Sequence, residues 1–461
     1  MNRRTFLKTS ATLGAAGLLA RGQAPTLPGR REFLIRDAFV MTMEPGVDDI
    51  AGGSVHVRGG EIVAVGKNLK APGAEVIDGR GMIALPGLVD THWHMWNTLL
   101  RSFAGDEKGE GYFDRRDRYG KVMTADDMYQ GTRLAALEAI NAGTTTVHNW
   151  CHNVRGFSYA EQDIRALRES GLRGRWSYGS FPGQAPAESV NLADLEKLHT
   201  NWAAMAGGLV ELGLAWRGLG NFPAVSRVEF DAARRLGIPI SVHISSTQPT
   251  IGQIEAHGKA GFLGKDVQLI HAVWATPTEV RMVAEAGATV SVSPGSELRI
   301  GYGIVNAGQF LDAGVPLGIS VDTVDLTGNA NLFGVLKLLR NTENARAQNE
   351  FKMTARRALE VGTIMGARSL GMDARIGSLK PGKRADVILV STRNPTMGVF
   401  TDPSHMLIEA AEEADVDTVM VDGRILKRGG KVTAMAASQV IADASTALAA
   451  IRKRAGDKLE P

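Results

Sequence analysis

The chain has 461 residues, of which 44% are hydrophobic and 22% charged, and this composition excludes a disordered or fibrous protein. Its 52 basic and 49 acidic residues give a net charge of +3, which is too balanced to indicate nucleic-acid binding. The single cysteine, Cys151, excludes an intramolecular disulfide and a cysteine-rich zinc module. The length suits one large domain with an accessory domain.

The first 24 residues have the pattern of an export signal. Paired arginines at positions 3 and 4 are followed by Phe-Leu-Lys, by a mildly apolar run over 11–20 and by small residues. This order is typical of a twin-arginine signal peptide over 1–24, which predicts a periplasmic or secreted protein. The apolar run is about half of the ~20 residues that a membrane span needs, so no stable span is expected.

Two strand-rich blocks, 31–84 and 377–433, flank a middle of different character. The first block contains the alternating stretch 55–65, interrupted by Gly59-Gly60, and this pattern predicts a β-hairpin. We expect the two blocks to form one small β-sandwich domain from both ends of the chain. Apolar residues at spacings of three and four predict an amphipathic helix, followed by a tail, within 434–461.

The middle of the chain, 85–376, alternates apolar strand-like runs with helical patterns. Eight such runs end near His92, His148, Tyr178, Trp216, His243, His271, Ser293 and Asp322. Helical periodicity is clearest over 124–142, 225–236, 277–286 and 333–339. Because a strand–helix unit needs about 30 residues, eight of them in this length predict an α/β fold, a (β/α)8 TIM-type barrel.

Histidines and an aspartate stand at the ends of several of these strands. His92 and His94 are two residues apart, so both side chains face the same side of their strand. His243, His271 and Asp322 each end a later apolar run. The carboxyl ends of barrel strands meet at the mouth, where active sites of this architecture lie. Imidazole and carboxylate groups are ligands of zinc and iron, so the pattern predicts a divalent metal site at the mouth.

The segment Pro86–His94, the later residues His243, His271 and Asp322, and the block 377–386 together resemble the amidohydrolase superfamily. The likeness is greatest to the branch that contains cytosine deaminase, guanine deaminase and the triazine hydrolases. It implies hydrolysis of a non-peptide carbon–nitrogen bond, in a cyclic or aromatic amide or amidine, by a metal-bound water. The metal ligands it implies are His92, His94, His243 and Asp322.

The resemblance also implies roles for residues near the metal, and it fails at one position. His271 would contact the metal-bound water or act as a fifth ligand, and Asp322 would be the base. Two-metal relatives carry a carboxylated lysine on strand four, but 212–217 has no lysine, so one zinc or iron ion is expected. Ser246 stands where many deaminases have an acidic glutamate. The acid is therefore either Asp322 itself or Glu297, which follows strand seven.

Several aromatic and histidine residues near the strand ends are candidates for substrate binding. Indole walls suit a flat ring, although each of these side chains could equally be loop packing. His152 is a further candidate beside His148. The candidates that we expect to contact a small-molecule substrate are Trp96, His148, Trp150 and Trp274.

Two other functions remain open from the sequence. One is a related hydrolase that expels another leaving group, such as halide, from an N-heterocycle. The other is an exported, non-catalytic binding protein on the same barrel, which would be recognised by a broken set of metal ligands. A homo-oligomer is compatible with all three functions.

Overall fold

The computed structural model describes residues 27–220 and 223–457, so the predicted signal peptide over 1–24 lies outside the described residues. The strands are β1 (Phe33–Val40), β2 (Ile50–Arg58), β3 (Glu61–Gly66), β4 (Glu75–Asp78), β5 (Met82–Pro86), β6 (Leu88–Trp93), β7 (Thr144–Cys151), β8 (Arg173–Gly179), β9 (Val210–Trp216), β10 (Ile240–Ile244), β11 (Val267–His271), β12 (Thr289–Val292), β13 (Leu317–Ile319), β14 (Val387–Ser391), β15 (Val416–Val421), β16 (Arg424–Arg428) and β17 (Lys431–Val432). The helices are α1 (Tyr112–Gly120), α2 (Ala125–Asn141), α3 (Phe157–Ser170), α4 (Leu192–Ala206), α5 (Pro223–Leu236), α6 (Gln253–Lys259), α7 (Pro277–Ala286), α8 (Pro294–Arg299), α9 (Ala307–Asp312), α10 (Val324–Thr327), α11 (Leu332–Ala347), α12 (Ala355–Gly362), α13 (Ile364–Ser369), α14 (Pro403–Glu409) and α15 (Ala437–Arg454).

Eight parallel strands, β6 to β13, close into a barrel in which β13 pairs with β6. Each predicted strand is present, and helices on the outside cover the strands, which are therefore buried on both faces. The prediction of a (β/α)8 barrel is confirmed.

The four predicted barrel helices are also present, as α2, α5, α7 and α11. Helix α7 shows why its prediction was accurate: Thr276 caps it by accepting the Glu279 backbone N–H, and Gly287 ends it with a φ of 68°. Helix α11 continues to Ala347, beyond the predicted end. The prediction stopped early because the second half of this helix is polar and carries little apolar periodicity.

The two ends of the chain form one mixed sheet of nine strands in the order β17-β16-β15-β14-β5-β1-β2-β3, with β4 paired to β1. The accessory domain built from both termini is confirmed, and its strands belong to a single hydrogen-bonded sheet. The predicted hairpin is β2–β3, whose turn residues Gly59 and Gly60 have φ values of 62° and 88°, as a two-residue hairpin turn requires. Antiparallel pairing of β5 with β14 joins the two termini.

Only Gly87 separates β5 in the sheet from β6 in the barrel. A Cβ at this position would collide with the Thr145 side chain on β7, so the close passage from one domain to the other requires glycine.

A group of ion pairs around two buried carboxylates, which we name the junction cluster, joins the barrel to the sheet. Arg173, the first residue of β8, donates from Nε and Nη2 to the Asp386 carboxylate, at 2.6 and 3.1 Å. The backbone N–H of Asp422 donates to the same carboxylate at 2.8 Å. Three further arginines pair with Asp422: Arg30, Arg384 and Arg424.

Helix α15 packs against α2 on the outside of the barrel. It spans most of the predicted terminal helix, and residues 458–461 of the predicted tail lie outside the described residues. Within the described part of the chain, no helix combines the length and the apolar character needed to cross a membrane.

Candidate active site

Three imidazoles and one carboxylate converge at the carboxyl ends of β6, β10 and β13. The His92 Nε2 atom lies 3.2 Å from His243 Nε2 and 3.2 Å from Asp322 Oδ1. The His94 Nε2 atom lies 3.3 Å from the same aspartate oxygen. One ligand atom from each of the four residues lies within 4.8 Å of the others. We name His92, His94, His243 and Asp322 the ligand cluster.

Backbone hydrogen bonds fix the cluster where the first and last barrel strands meet. The Asp322 N–H donates to the His92 carbonyl at 3.0 Å, and the His94 N–H donates to the Asp322 carbonyl at 2.7 Å. The buried Asp90 carboxylate accepts the N–H groups of His92 and Val321, at 3.1 and 3.2 Å. Asp322 has a φ of 62°, and such backbone strain is common at functional sites.

Side-chain hydrogen bonds leave the ligand atoms free to face one another. His94 donates from Nδ1 to the Trp150 carbonyl at 3.0 Å, so its Nε2 carries a lone pair. Asp322 accepts the Ser296 hydroxyl on Oδ2 at 2.6 Å, which turns Oδ1 towards the imidazoles.

The protonation states of the ligand cluster suit a divalent cation. Burial, together with the nearby His92, lowers the pKa of His94 to about 3. Burial opposes ionisation of Asp322, but the hydrogen bond with His92 and the nearby His94 and His271 hold the pKa of its carboxyl well below its usual range. Neutral imidazoles and an ionised carboxylate are the forms that bind zinc or iron, so these residues fit such an ion.

His271 stands beside the ligand cluster and has a buried partner of its own. Its ring stacks on His243 with centroids 5.2 Å apart, and its Nδ1 is 3.1 Å from Glu297 Oε1. Burial favours the neutral imidazole, but the hydrogen bond and charge of Glu297 outweigh that effect and raise the pKa of His271. Its φ of 74° is a second strained backbone position at the site.

The sequence interpretation expected Glu297 to reach the mouth of the barrel. Its side chain does not do so directly. Ser293 precedes helix α8, and the Ser293 backbone N–H donates to Glu297 Oε1 at 2.8 Å, which draws the side chain back beneath His271. Glu297 is fully buried and does not line the cavity described below, and its Oε1 contacts His271, which does.

A cavity of about 310 Å³ opens on the ligand cluster. Its walls come from the loops after several barrel strands and from helix α1, and they are largely aromatic. The residues that line it are His94, Tyr112, Phe113, Arg116, Trp150, His152, Ser180, Phe181, Pro182, His243, His271, Ile300, Tyr302, Asp322 and Leu326.

The model of the amidohydrolase family matches residues 83–426, which is more than half of the chain. The chain belongs to the amidohydrolase family. It is therefore a hydrolase of carbon–nitrogen bonds other than peptide bonds, and its ligand set is complete among the described residues. The model of a twin-arginine signal sequence matches residues 1–20, in agreement with the predicted export signal.

Curated relatives cover nearly the whole of this amidohydrolase. A 5'-deoxyadenosine deaminase of Methanosarcina acetivorans is 30% identical over 92% of this chain and 99% of its own. A 5-methylthioadenosine/S-adenosylhomocysteine deaminase of Desulforudis audaxviator is 31% identical over 87% of this chain and 94% of its own.

Solved structures share the fold. An adenosine deaminase from Xanthomonas campestris with bound zinc has a TM-score of 0.81 at 22% identity, covering 92% of this chain and 100% of its own. An atrazine chlorohydrolase from Arthrobacter aurescens complexed with zinc has a TM-score of 0.80 at 23% identity, covering 90% and 100%. Together with the curated deaminases, they agree with the expected branch of the family.

The amidohydrolase cavity includes only one of the four residues that we expected to contact substrate. Trp150 lines it, with its ring centroid 4.3 Å from that of His243. His148 instead points into the barrel interior, where its Nε2 is 2.8 Å from the Ser177 hydroxyl and its Nδ1 is 3.0 Å from the Thr91 carbonyl. A direct substrate contact by His148 does not fit this placement.

Trp96 and Trp274 also lie outside the cavity lining. Trp96 is fully buried in a short 3₁₀ helix, Met95–Leu100, and donates from Nε1 to His152 Nδ1 at 3.3 Å. Trp274 donates from Nε1 to the Tyr302 carbonyl at 2.7 Å. Each indole therefore supports a residue that lines the cavity and does not line it itself.

The sequence interpretation missed the wall formed by helix α1. Tyr112, Phe113 and Arg116 lie on this helix, within the long connection between β6 and α2, and all three line the cavity. An aromatic pair followed by a run of arginines in the connection after the first strand was the available signal. Ser246, which stands where the family resemblance implies a glutamate, is not among the lining residues.

Proposed function

We propose that this amidohydrolase is an exported enzyme that hydrolyses the bond between a planar N-heterocycle and an exocyclic amino nitrogen, which is a deamination. The single observation that carries the proposal is the complete ligand cluster opening directly on an aromatic-walled cavity. The aromatic walls suit a flat ring. The two curated relatives described above are by name deaminases of adenine-containing compounds, which supports a C–N bond of the amidine type.

The ligand cluster would hold one divalent ion, zinc or iron. When bound, such an ion supplies a Lewis acid that brings the pKa of a water near 7. Strand β9, Val210–Trp216, carries no lysine that could be carboxylated to bridge a second ion, which supports a single metal. The structures of the adenosine deaminase from Xanthomonas campestris and the atrazine chlorohydrolase from Arthrobacter aurescens both contain zinc.

Two side chains of the protein carry out the proposed proton transfers. Asp322 is the proposed base, because its ionised carboxylate faces the imidazoles and lines the cavity. His271 is the proposed proton donor to the leaving nitrogen, because it lines the cavity while a buried carboxylate holds its Nδ1. Glu297 is then a positioning residue that fixes the proton and orientation of His271. This pair takes over the role of the glutamate that Ser246 replaces.

Ammonia release from a panel of aminated rings tests the proposal. The panel contains aminopyrimidines, aminopurines, aminotriazines and one chlorotriazine, incubated with enzyme loaded with zinc or with iron. We expect ammonia from at least one member, loss of activity after chelation and recovery with about one equivalent of metal.

Chloride release from the chlorotriazine without ammonia from any member would contradict deamination and favour the halide-expelling alternative. Two metal ions per chain in active enzyme would contradict the single-metal site. As a control, the His92→Ala/His94→Ala double variant is expected to bind no metal at the cluster and to release nothing.

The match to a twin-arginine signal supports an enzyme that works in the periplasm or outside the cell. This export route accepts folded proteins, so the metal could be inserted before transport. Replacing Arg3 and Arg4 by lysine is expected to leave folded, metal-loaded enzyme in the cytoplasm. Unchanged export of that variant would contradict the proposal.

A further inference from the structure

The described wall of the cavity carries one guanidinium and one carboxylate as its charged side chains. Among the described residues that line it, the only carboxylate is Asp322, which already belongs to the ligand cluster. The only side chain with a permanent positive charge is Arg116. A bound divalent ion would add further positive charge beside Asp322.

The Arg116 guanidinium is held in place, but not all of its N–H groups are hydrogen-bonded. Its side chain is 17% exposed, and its Nε and Nη2 both donate to a single oxygen of Asp117, at 2.8 and 2.5 Å. Its Nη1 has no hydrogen-bond partner among the described residues. The guanidinium carbon lies 5.0 Å from the Phe113 ring centroid and 5.7 Å from that of Tyr112, so two rings of the cavity wall orient it.

The Asp117 partner does not cancel the charge of Arg116. The Asp117 side chain is 49% exposed, and an ion pair with such a partner is weakened by solvent. Asp117 is also outside the cavity lining, whereas Arg116 is within it. The guanidinium therefore offers a cation with unused N–H groups to whatever the cavity binds.

His152 supplies a second unused donor. Its Nδ1 accepts the Trp96 indole N–H at 3.3 Å, so the neutral ring carries its proton on Nε2. The residue is 8% exposed and lines the cavity, and its Nε2 has no partner within 27–220 and 223–457. Buried polar atoms are rarely left without a partner, so an acceptor from a ligand is the natural complement of this N–H.

We propose that Arg116 and His152 recognise a carboxylate on the ring of the substrate, in addition to the C–N bond that is cut. This inference rests on the proposed function and narrows its substrate class to small aromatic ring acids. Guanidinium is well suited to carboxylate, because its N–H groups match the two oxygens.

Two observations distinguish this class from ribonucleosides. In dinucleotide-binding folds a carboxylate accepts the hydroxyl protons of the ribose, and no described residue of this cavity wall offers a carboxylate free for that purpose. The cavity volume of about 310 Å³ lies at the lower end of the range for ligand pockets, which suits a single substituted ring.

Binding to the metal-loaded enzyme tests the inference by calorimetry, with three probes: 2-aminopyrimidine-5-carboxylate, 2-aminopyrimidine and adenosine. We expect the acid to bind at least about tenfold more tightly than either neutral probe. Arg116→Gln is expected to remove this preference, and Arg116→Lys, which keeps the charge but loses the paired N–H groups, to retain part of it. The matched control is Arg115→Gln, at a neighbouring arginine outside the cavity lining, which is expected to retain it fully.

Each outcome has one meaning. Equal affinity of the wild-type enzyme for the acid and the neutral ring would overturn the inference. So would a preference that survives in folded, metal-loaded Arg116→Gln, since the metal alone would then explain it. Adenosine binding more tightly than the acid would also overturn it. Absence of ammonia from the whole panel of ring amines contradicts the proposed deamination but leaves the binding result standing, so the two failures are distinguishable.

Discussion

Buried carboxylates occupy opposite ends of the barrel, and the two sites differ in the basic groups that surround them. At the mouth, Asp322 faces three imidazoles of the ligand cluster. At the other end, Asp386 and Asp422 of the junction cluster face arginines. Arginine is always protonated, so the junction carboxylates are neutralised permanently. Burial lowers the pKa of each imidazole in the ligand cluster, so these rings favour the neutral form and Asp322 carries the charge of the cluster.

The difference separates a structural role from a functional one. Two carboxylates with four arginines are complete without any ligand, and their value is to hold two domains together. The ligand cluster has the composition of a divalent metal site, and its strained backbone at Asp322 and at the neighbouring His271 is consistent with residues placed for chemistry. The partners of a buried aspartate thus indicate whether it serves binding or stability.

The largest effect is expected at the mouth. Asp322→Asn removes the charge of the ligand cluster and the proposed base together, so turnover is expected to fall by about 10⁴-fold, the upper end for acid–base catalysis. The metal content per chain should fall with it, whereas the free energy of unfolding of the metal-free protein should not. Steady-state kinetics, elemental analysis and denaturant unfolding measure the three quantities. Full metal content with wild-type turnover would contradict this assignment.

The second change is made in the junction cluster, where we expect a loss of stability and not of turnover. Arg173→Met leaves Asp386 buried without its bidentate partner, and removing one member of a buried pair costs about 3–5 kcal/mol of unfolding free energy. Metal content and kcat per folded chain should stay at the wild-type level, because Arg173 begins β8 at the end away from the mouth.

Arg428→Met is the matched control for that experiment. Arg428 pairs with Glu75 on the surface, and such a pair is worth about 1 kcal/mol at most. An equal loss of stability in the two variants would show that burial does not distinguish the clusters. A large loss of kcat in folded Arg173→Met would show that the two ends of the barrel are coupled.

A smaller effect is expected at Glu297, whose carboxylate is hydrogen-bonded to the imidazole of His271. Glu297→Gln keeps the shape and removes the charge, and turnover is expected to fall by about 10²-fold. Because Glu297 raises the pKa of His271, its removal should also move the pH-rate limb that reports this imidazole to lower pH. The pH profile of kcat checks this, and a lower rate with an unmoved profile would indicate packing alone.

The last effect, on stability alone, concerns Asp325, a carboxylate with no cation partner among the described residues. One of its oxygens accepts the Ala104 N–H at 2.7 Å, the other has no partner, and burial raises its pKa to about 6. The native state therefore binds the proton more tightly than the unfolded state, whose pKa is near 3.8. The stability that this group contributes is complete below pH 4 and is lost as the pH rises through about 6.

Asp325→Asn is expected to remove that loss, which amounts to at most about 3 kcal/mol. Urea unfolding of both proteins between pH 4 and 7 measures it as a growing advantage of the variant. Asp312→Asn, at an exposed pair with Lys352, serves as the control and should leave the pH dependence unchanged. Parallel curves for wild type and Asp325→Asn would contradict the assignment.

Much of the barrel and of the ligand cluster could be predicted from the sequence, because both depend on short-range patterns. Each ligand directly follows an apolar strand, and strand alternation places His92 and His94 on one side. His148 shows where the pattern failed. Strand β7 continues to Cys151, so His148 lies deeper in the barrel than the expected strand end would place it.

The cavity wall could not be predicted in the same way. Helix α1 reaches the cavity only because the connection between β6 and α2 folds over the mouth, and no local pattern specifies that path. For the same reason Trp96, close in sequence to His94, lies behind His152 and not in the cavity. Proximity in sequence to a strand end did not decide which aromatic ring faces the substrate.

The pairing of β5 with β14 sets the order in which the molecule can be completed during synthesis. Strand β5 leaves the ribosome about 300 residues before its partner, and until then its backbone N–H and C=O groups on that side form an open sheet edge. The barrel strands are all made in that interval, so the accessory sheet is closed last. A chain interrupted anywhere within the barrel would therefore keep an unpaired edge, exposed to association with other chains.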